Sequence, residues 1–251
     1  MKVRDILDRV TTLYHDIEYR RCTPQQYLQF LDDAILALIT LRPDSHEKRE
    51  VIQLKPGARQ KVPDDGYVLI DVYANMQYIP EINYYFDGKP VYQVARKDLD
   101  YFSNWYNKVE RRATIDEFAY DIRSPGDFWV NPPVSPLSDV RVEIGYSYKH
   151  PTYGDMDMSL YPFPTIKEME LELSDSFRNA LVSYMLYKIF SVDVTAERDI
   201  QIGAQHLQTF YQSLNFNFNN EIMATTRIIE PTTQGIGLQT TDPMNVQTVR
   251  I

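Results

Sequence analysis

The sequence predicts an α+β protein: a helical bundle made by N- and C-terminal helix pairs, a central antiparallel β region, and an extended C-terminal arm. Three observations carry this. Apolar residues recur at three- and four-residue steps near both ends of the chain. Short runs punctuated by Pro, Gly and Asp fill the middle. The last stretch of the 251 residues is rich in Thr and poor in charge. The expected organisation is a helical hairpin over 1–43, a β-rich region over 44–165, a second helical hairpin over 166–216 that bundles with the first, and an arm over 217–251.

A first helix is expected over 3–18. Val3, Ile6, Leu7, Val10, Leu13, Tyr14 and Ile17 mark its apolar stripe, with Arg4, Asp8 and Asp16 opposite. Thr23 then reads as an N-cap, Pro24 as the first helical residue and Gln26 as the partner in a capping box. The helix that follows carries Tyr27, Leu28, Leu31, Ala34, Ile35, Leu38 and Leu41, and Pro43 stops it. The short connection makes the two antiparallel.

In the middle, Pro56-Gly57 between Val51 and Val62 reads as a hairpin turn. Tyr67–Tyr73 reads as a strand, and 96–105 as a short helix. Phe118–Tyr120 and Asp127–Val130 are expected to pair around Ser124–Gly126, with Asn131–Pro133 ending the pair. Val140–Tyr148 alternates with period two, and five to seven strands are expected in all. Helices return at Ser174, the cap of a helix to about Phe190 whose stripe is Phe177, Leu181, Tyr184, Met185 and Ile189. A fourth begins after Thr195 and carries Ile200, Ala204, Leu207, Tyr211 and Leu214.

Composition excludes several classes. The apolar share of 43% excludes global disorder, and no apolar run reaches the roughly 18 residues of a membrane span. Met1–Val10 lacks the apolar core of a signal peptide. A net charge of −9 opposes a protein that holds nucleic acid by its phosphates. The single Cys22 forbids an internal disulfide and any cysteine-based zinc site. A soluble, acidic protein of a reducing compartment is the expectation.

No catalytic residue, metal site or cofactor site is expected. His15, His46, His150 and His206 have no i, i+4 pairing of the kind a helical metal site uses. Asp155 and Asp157 lack the glycine and glutamate of a calcium loop. Gly145–Tyr148 is not a nucleophile elbow, and nine Gly in the chain include no phosphate-binding loop. Cys22, just before a helix N-terminus, has no histidine near it in sequence. The acid pairs Asp32-Asp33 and Asp64-Asp65 read as solvated. Basic doublets at 20–21, 48–49, 96–97 and 111–112 each have an acid close by and form no stripe.

Two features point to interaction with other proteins. The chain has 19 Tyr and 11 Phe. Tyrosine offers a broad apolar face, a hydroxyl and few rotors, which suits protein interfaces, although a Tyr-rich β core uses it equally well. Within 218–251, seven Thr and two Gly surround scattered large aliphatic residues. Chain ends are commonly disordered tails. Ile228, Ile229, Ile236, Leu238, Val246, Val249 and Ile251 are nevertheless more than a solubilising tail needs, and they favour an arm that orders on a partner surface.

The order of several segments is then familiar: Val3–Leu7 (VRDIL), Tyr27–Ile35 (YLQFLDDAI), Leu41–Asp44 (LRPD), Lys55–Gln60 (KPGARQ) with Val62-Pro63, Leu69–Met76 (LIDVYANM), Phe128–Pro133 (FWVNPP), Val142–Tyr146 (VEIGY) and Ala180–Lys188 (ALVSYMLYK). Over Met1–Asn215 the chain resembles the head-to-tail adaptor, or connector, proteins of tailed phages, particularly those with short tails. The resemblance implies a virion structural protein that forms a twelve-membered homo-oligomeric ring beneath the portal protein. Such a ring joins the portal to the tail nozzle protein, with DNA passing through without sequence-specific binding and with no membrane involved. It also implies assembly in the host cytoplasm. The aromatic insertion at Tyr84, Tyr85 and Phe86 and the arm depart from the usual pattern. These three aromatics are candidates for contacts between subunits or with the tail, and the arm's aliphatic residues for the portal or a neighbouring subunit. A carbohydrate- or receptor-binding tail component is the alternative.

Overall fold

The computed structural model describes residues 1–101, 105–107, 112–192 and 198–215. Those residues form six α-helices and two four-stranded sheets, a mixed α+β architecture. The helices are α1 (Val3–Leu13), α2 (Pro24–Leu41), α3 (Arg96–Tyr101), α4 (Phe163–Lys167), α5 (Arg178–Val192) and α6 (198–215).

Local chemistry sets the helix starts. Thr23 caps α2 by accepting from the Gln26 N–H, the Gln26 side chain returns the bond to the Thr23 N–H at 2.8 Å, and Pro24 follows. Ser174 accepts from the Ser176 N–H, and a single 3₁₀ turn over Asp175–Phe177 leads into α5. The first helix ends at Leu13, five residues short of the sequence expectation. The chain turns there because the Asp16 carboxylate gathers the backbone N–H groups of Arg20, Arg21 and Cys22 and the Tyr27 hydroxyl. His15 and Tyr19 take positive φ around it, both at 55°. Asp16 is therefore buried rather than solvated, and Leu13 and Ile17 are exposed.

The buried faces of α1, α2 and α5 share one apolar cluster with Phe210 and Leu214 of α6. In α6 the buried face runs through Gly203, Phe210 and Leu214, with Leu207 half-buried; Ile200, Ala204 and Tyr211 face outward. The expected stripe was rotated. A Cβ at position 203 would come within 3.3 Å of the Phe190 Cβ, so the glycine is what lets α6 approach α5 on that face.

The strands are β1 (Glu47–Gln53), β2 (Gly57–Lys61), β3 (Gly66–Ile79), β4 (Tyr84–Pro90), β5 (Tyr92-Gln93), β6 (Glu117–Tyr120), β7 (Asp127–Val134) and β8 (Arg141–Tyr148). One sheet has the order β1-β8-β3-β4 and the other β2-β7-β6-β5. All pairs are antiparallel except the two-residue pairing of β5 with β6, which corrects the wholly antiparallel expectation. A second core, built from Val72, Phe118, Phe128, Val142, Ile144 and neighbours, lies between the sheets.

Pro56-Gly57 does not turn a hairpin. β1 pairs with β8 and β2 with β7, so the chain crosses from one sheet to the other at that point. The buried Gln60 side chain makes the crossing possible by accepting from the Lys55 N–H at 2.8 Å and donating to the Lys55 and Gly57 carbonyls. β6 and β7 pair as expected. β7 continues past Pro132 and Pro133 because its register against β2 shifts between Gly57 and Arg59, where no ladder N–H is required.

Candidate functional site

The outer end of β3 and the whole of β4 form a hairpin whose far strand has no further neighbour in its sheet among the described residues. Its base is fixed by the buried Asn75. The Asn75 amide donates to the carbonyls of Lys89 and Ile115 at 2.8 Å each and accepts from the Ile115 N–H at 2.8 Å. Gly88 lies against this point: an added Cβ would come within 2.7 Å of the Asn75 carbonyl oxygen. The turn is a 3₁₀ segment, Pro80–Ile82, closed by Asn83 at φ 48°.

Register divides the hairpin's residues between two faces. Tyr78 lies opposite Tyr85, Ile79 opposite Tyr84, and Gln77 opposite Phe86. On the first face the Tyr78 and Tyr85 rings lie 4.9 Å apart under Arg141, which donates to the Tyr85 hydroxyl at 2.6 Å and sits 5.1 Å from the Tyr78 ring centre. That face is internally satisfied. On the second, Ile79, Tyr84 and Phe86 project into solvent, with the Tyr84 and Phe86 rings edge to face at 4.9 Å. Tyr84 is 57% exposed, Phe86 44%, and Ile82 at the tip 61%. Four aromatic or aliphatic side chains on a pinned hairpin, beside a strand edge left unpaired by the described residues, make a surface suited to another protein rather than to water.

Of the aromatic residues singled out in the sequence, Tyr84 and Phe86 therefore fall on the outward face and Tyr85 on the inward one. The sequence reading missed Ile79 and Ile82, which complete the patch, and Arg141, which fixes its reverse side. The alternation Ile79–Tyr84–Phe86 becomes visible only once the register is known. Ile228, Ile229, Ile236, Leu238, Val246, Val249 and Ile251 lie outside the described residues.

A second uncovered apolar surface runs along α2. Leu36 is 53% exposed and Leu41 48%, beside Tyr211 of α6. Leu41, expected in the core stripe, lies at its margin.

Polar groups elsewhere are engaged in holding the fold. Asp157 accepts from the Ser159 N–H and hydroxyl, closing a local turn. Asp65 accepts from the Tyr146 hydroxyl and pairs with Lys48. Asp32, expected to be solvated, accepts from the backbone N–H groups of Tyr153 and Gly154. Burial pushes its carboxyl up to about 6 even though those two bonds oppose the shift. His46 is buried, stacked on Tyr148 at 3.8 Å, and donates from Nδ1 to the Glu172 carbonyl. Burial likewise lowers His150 to about 4. Cys22 is buried. Among the described residues no group of three His, Cys, Asp or Glu side chains is placed to hold a metal ion, and no helix is long and apolar enough to cross a membrane.

Comparison with curated proteins found no match. Comparison with protein families matches the family described as SU10 adaptor protein over residues 1–228. The match takes in both helical ends, both sheets and the exposed hairpin. The chain accordingly belongs to the SU10 adaptor protein family and is a phage head-to-tail adaptor, a structural component of the virion.

Proposed function

We propose that this chain assembles as a homo-oligomeric ring, of twelve copies as the family resemblance implies, and joins the portal protein to the tail nozzle protein around the DNA channel. The observation that carries this reading is the outward face of the β3–β4 hairpin. Ile79, Ile82, Tyr84 and Phe86 stand exposed on a strand pair whose base is held by Asn75. A rigid anchor loses little conformational freedom on docking, which is how a small patch becomes a strong contact. The two helical hairpins, which meet in one apolar cluster, form the rigid part of each subunit in this reading.

The net charge of −9 per subunit suits a channel that lets a phosphate backbone slide. The segment Ile222–Ile251 serves as an arm that orders on the portal or on a neighbouring adaptor. Ordering such a segment costs on the order of 1–2 kcal/mol per residue in backbone entropy. Extensive contact, repeated around a ring, is needed to offset it.

A sugar-binding role is less well supported. The Tyr84 and Phe86 rings are inclined at 71° and present no common flat platform, and the Asn83 amide oxygen already accepts from the Tyr78 hydroxyl.

Light scattering on the full chain, alone and with the portal protein, tests the proposal. A subunit that stays monomeric in both conditions would overturn it. A closed ring, or one formed only with the portal, is the expected result.

A further inference from the structure

The sheet β1-β8-β3-β4 ends at β1 on one side and at β4 on the other, and neither edge is paired among the described residues. Its strands run antiparallel throughout, so β1 and β4 point in opposite directions. A second copy set beside the first in the same orientation therefore brings its β1 antiparallel to β4. An odd number of strands would have made that pairing parallel.

The two edges differ in character. Tyr84–Asp87 (YYFD) carries neither Lys nor Pro, the usual guards of an exposed edge. Asp87 is exposed and makes no ion pair among the described residues. β1 opens with Glu47, Lys48, Arg49 and Glu50, a pattern that admits only a partner of matching charge. We infer that β4 receives β1 of a second copy, with Asp87 opposite Arg49.

The faces of the sheet limit the register. Tyr85 and Asp87 lie opposite Tyr78 and Met76, on the face that holds Arg141. Glu47, Arg49 and Val51 share that face, because the residues opposite them, Ser147, Gly145 and Glu143, follow Arg141 at steps of two along β8. Matched faces leave only even shifts. In the inferred register Asp87 meets Arg49, Tyr85 meets Val51 and Tyr84 meets Ile52. Phe86 meets Glu50, whose carboxylate Lys48 holds at 3.2 Å. One opposite-charge pair and two pairs of an aromatic with a β-branched residue each favour cross-strand contact. Arg49 is 54% exposed and keeps N–H groups beyond the one that Glu47 takes at 2.9 Å. A shift of two residues one way sets Asp87 against Glu47; the other way sets it against Val51, with no countercharge.

The offset suits a closing sheet. Gln53, Arg141, Met76 and Asp87 form one row across the four strands. Meeting Arg49 rather than Gln53 displaces the next copy by four residues over four strands. About one residue per strand is the magnitude of stagger in an eight-stranded barrel of shear eight. Two β4 edges meeting about a two-fold axis fit less well. No register of Tyr84–Asp87 against itself puts a base opposite Asp87, and such a contact closes at two copies.

The inference rests on the proposed ring and names the contact between its subunits. The test uses the full chain carrying Asp87→Cys and Arg49→Cys, oxidised where rings form, with the portal protein if rings require it. Directly opposite residues have Cα atoms about 4.5–5.5 Å apart, within reach of a disulfide. A ladder of linked multimers on a non-reducing gel is expected, with none from either single variant alone and linked dimers from the two mixed. Rings without disulfides, or dimers from Asp87→Cys alone, would overturn the pairing. Asp87→Arg, a change at an exposed position, decides if the double variant does not fold. It should weaken ring formation at least tenfold in light scattering at an unchanged melting temperature, and unaltered assembly would overturn the inference. Rings that show neither effect refute the strand pairing alone. Linked ladders from a chain that never closes a ring refute the proposed function alone.

Discussion

The carboxylate of Asp32, in the middle of α2, accepts the backbone N–H of Gly154 at 2.6 Å across 122 residues of sequence. With the companion bond from Tyr153 at 2.9 Å, it ties the helical core to the loop that leaves the β-sandwich. The fit is close. A Cβ on residue 154 would come within 2.7 Å of the Gln29 Cγ and 3.0 Å of the Asp32 Oδ2. Gly154→Ala should therefore push the loop off α2 and destabilise the protein by about 1–3 kcal/mol, read from urea unfolding. An unchanged midpoint would mean the loop yields freely.

Asp32 and His150 also predict a compensated pH profile. Asp32 has a folded pKa of about 6, raised by burial above its ordinary 3.8, so the folded state binds the extra proton. Its contribution to stability falls as pH rises from about 4 to about 6. His150 is lowered by burial to about 4 from 6.5, so its contribution is lost as pH falls through that interval. His46, also lowered by burial, acts in the same direction as His150. The two trends oppose each other. Asp32→Asn should remove one and leave stability falling steeply on acidification from pH 6.5 to 4. Parallel profiles for variant and parent would contradict this.

Asp16 behaves in the opposite sense to Asp32. Burial works against its charge, but the N–H groups of Cys22, Arg21 and Arg20 and the Tyr27 hydroxyl outweigh burial and hold its carboxyl below the ordinary range. Its folded pKa being depressed, the stability it adds is present above about pH 4 and is lost on acidification below that. Asp16→Ala would leave three N–H groups and a buried phenol without their acceptor. A loss on the order of 2–4 kcal/mol is expected at pH 7, measured by thermal or urea unfolding. A loss below about 1 kcal/mol would show that water replaces the carboxylate.

His15 is exposed and holds φ at 55°, a conformation costly for a residue bearing a Cβ. His15→Gly should stabilise the protein by about 0.5–1 kcal/mol, raising Tm by a few degrees. A lowered Tm would reveal a contact made by the imidazole.

The hairpin patch separates folding from assembly. Tyr84→Ser combined with Phe86→Ser removes exposed side chains from an edge strand, so the melting temperature should stay within a few degrees of the parent. Ring formation, or capture by the portal protein, should weaken at least tenfold in sedimentation or light scattering. Unaltered assembly would remove the hairpin from the interface.

Much of the fold was legible in the chain because its cause is local. The Thr23–Gln26 cap, the stripe of α2, the β6–β7 pairing and the alternation of β8 each depend on residues only a few positions apart. Position along the sequence could not reveal interactions that span it. Pro56-Gly57 carries a turn's residue types, yet which sheet receives β2 is settled by the distant β7 and by Gln60. Asp16 and Asp32 look like solvated acids until backbone N–H groups are folded onto them. The buried side of α6 depends on Gly203 meeting Phe190. The outward patch depends on strand register, because a slip of one residue would exchange Tyr84 and Phe86 with Tyr85. Composition and periodicity thus determined the α+β class and the approximate positions of the four long helices, but not the short α4 or the end of α1. Tertiary contacts decided which polar groups are buried and which aromatic residues remain outside, since burial is a property of what the rest of the chain brings near.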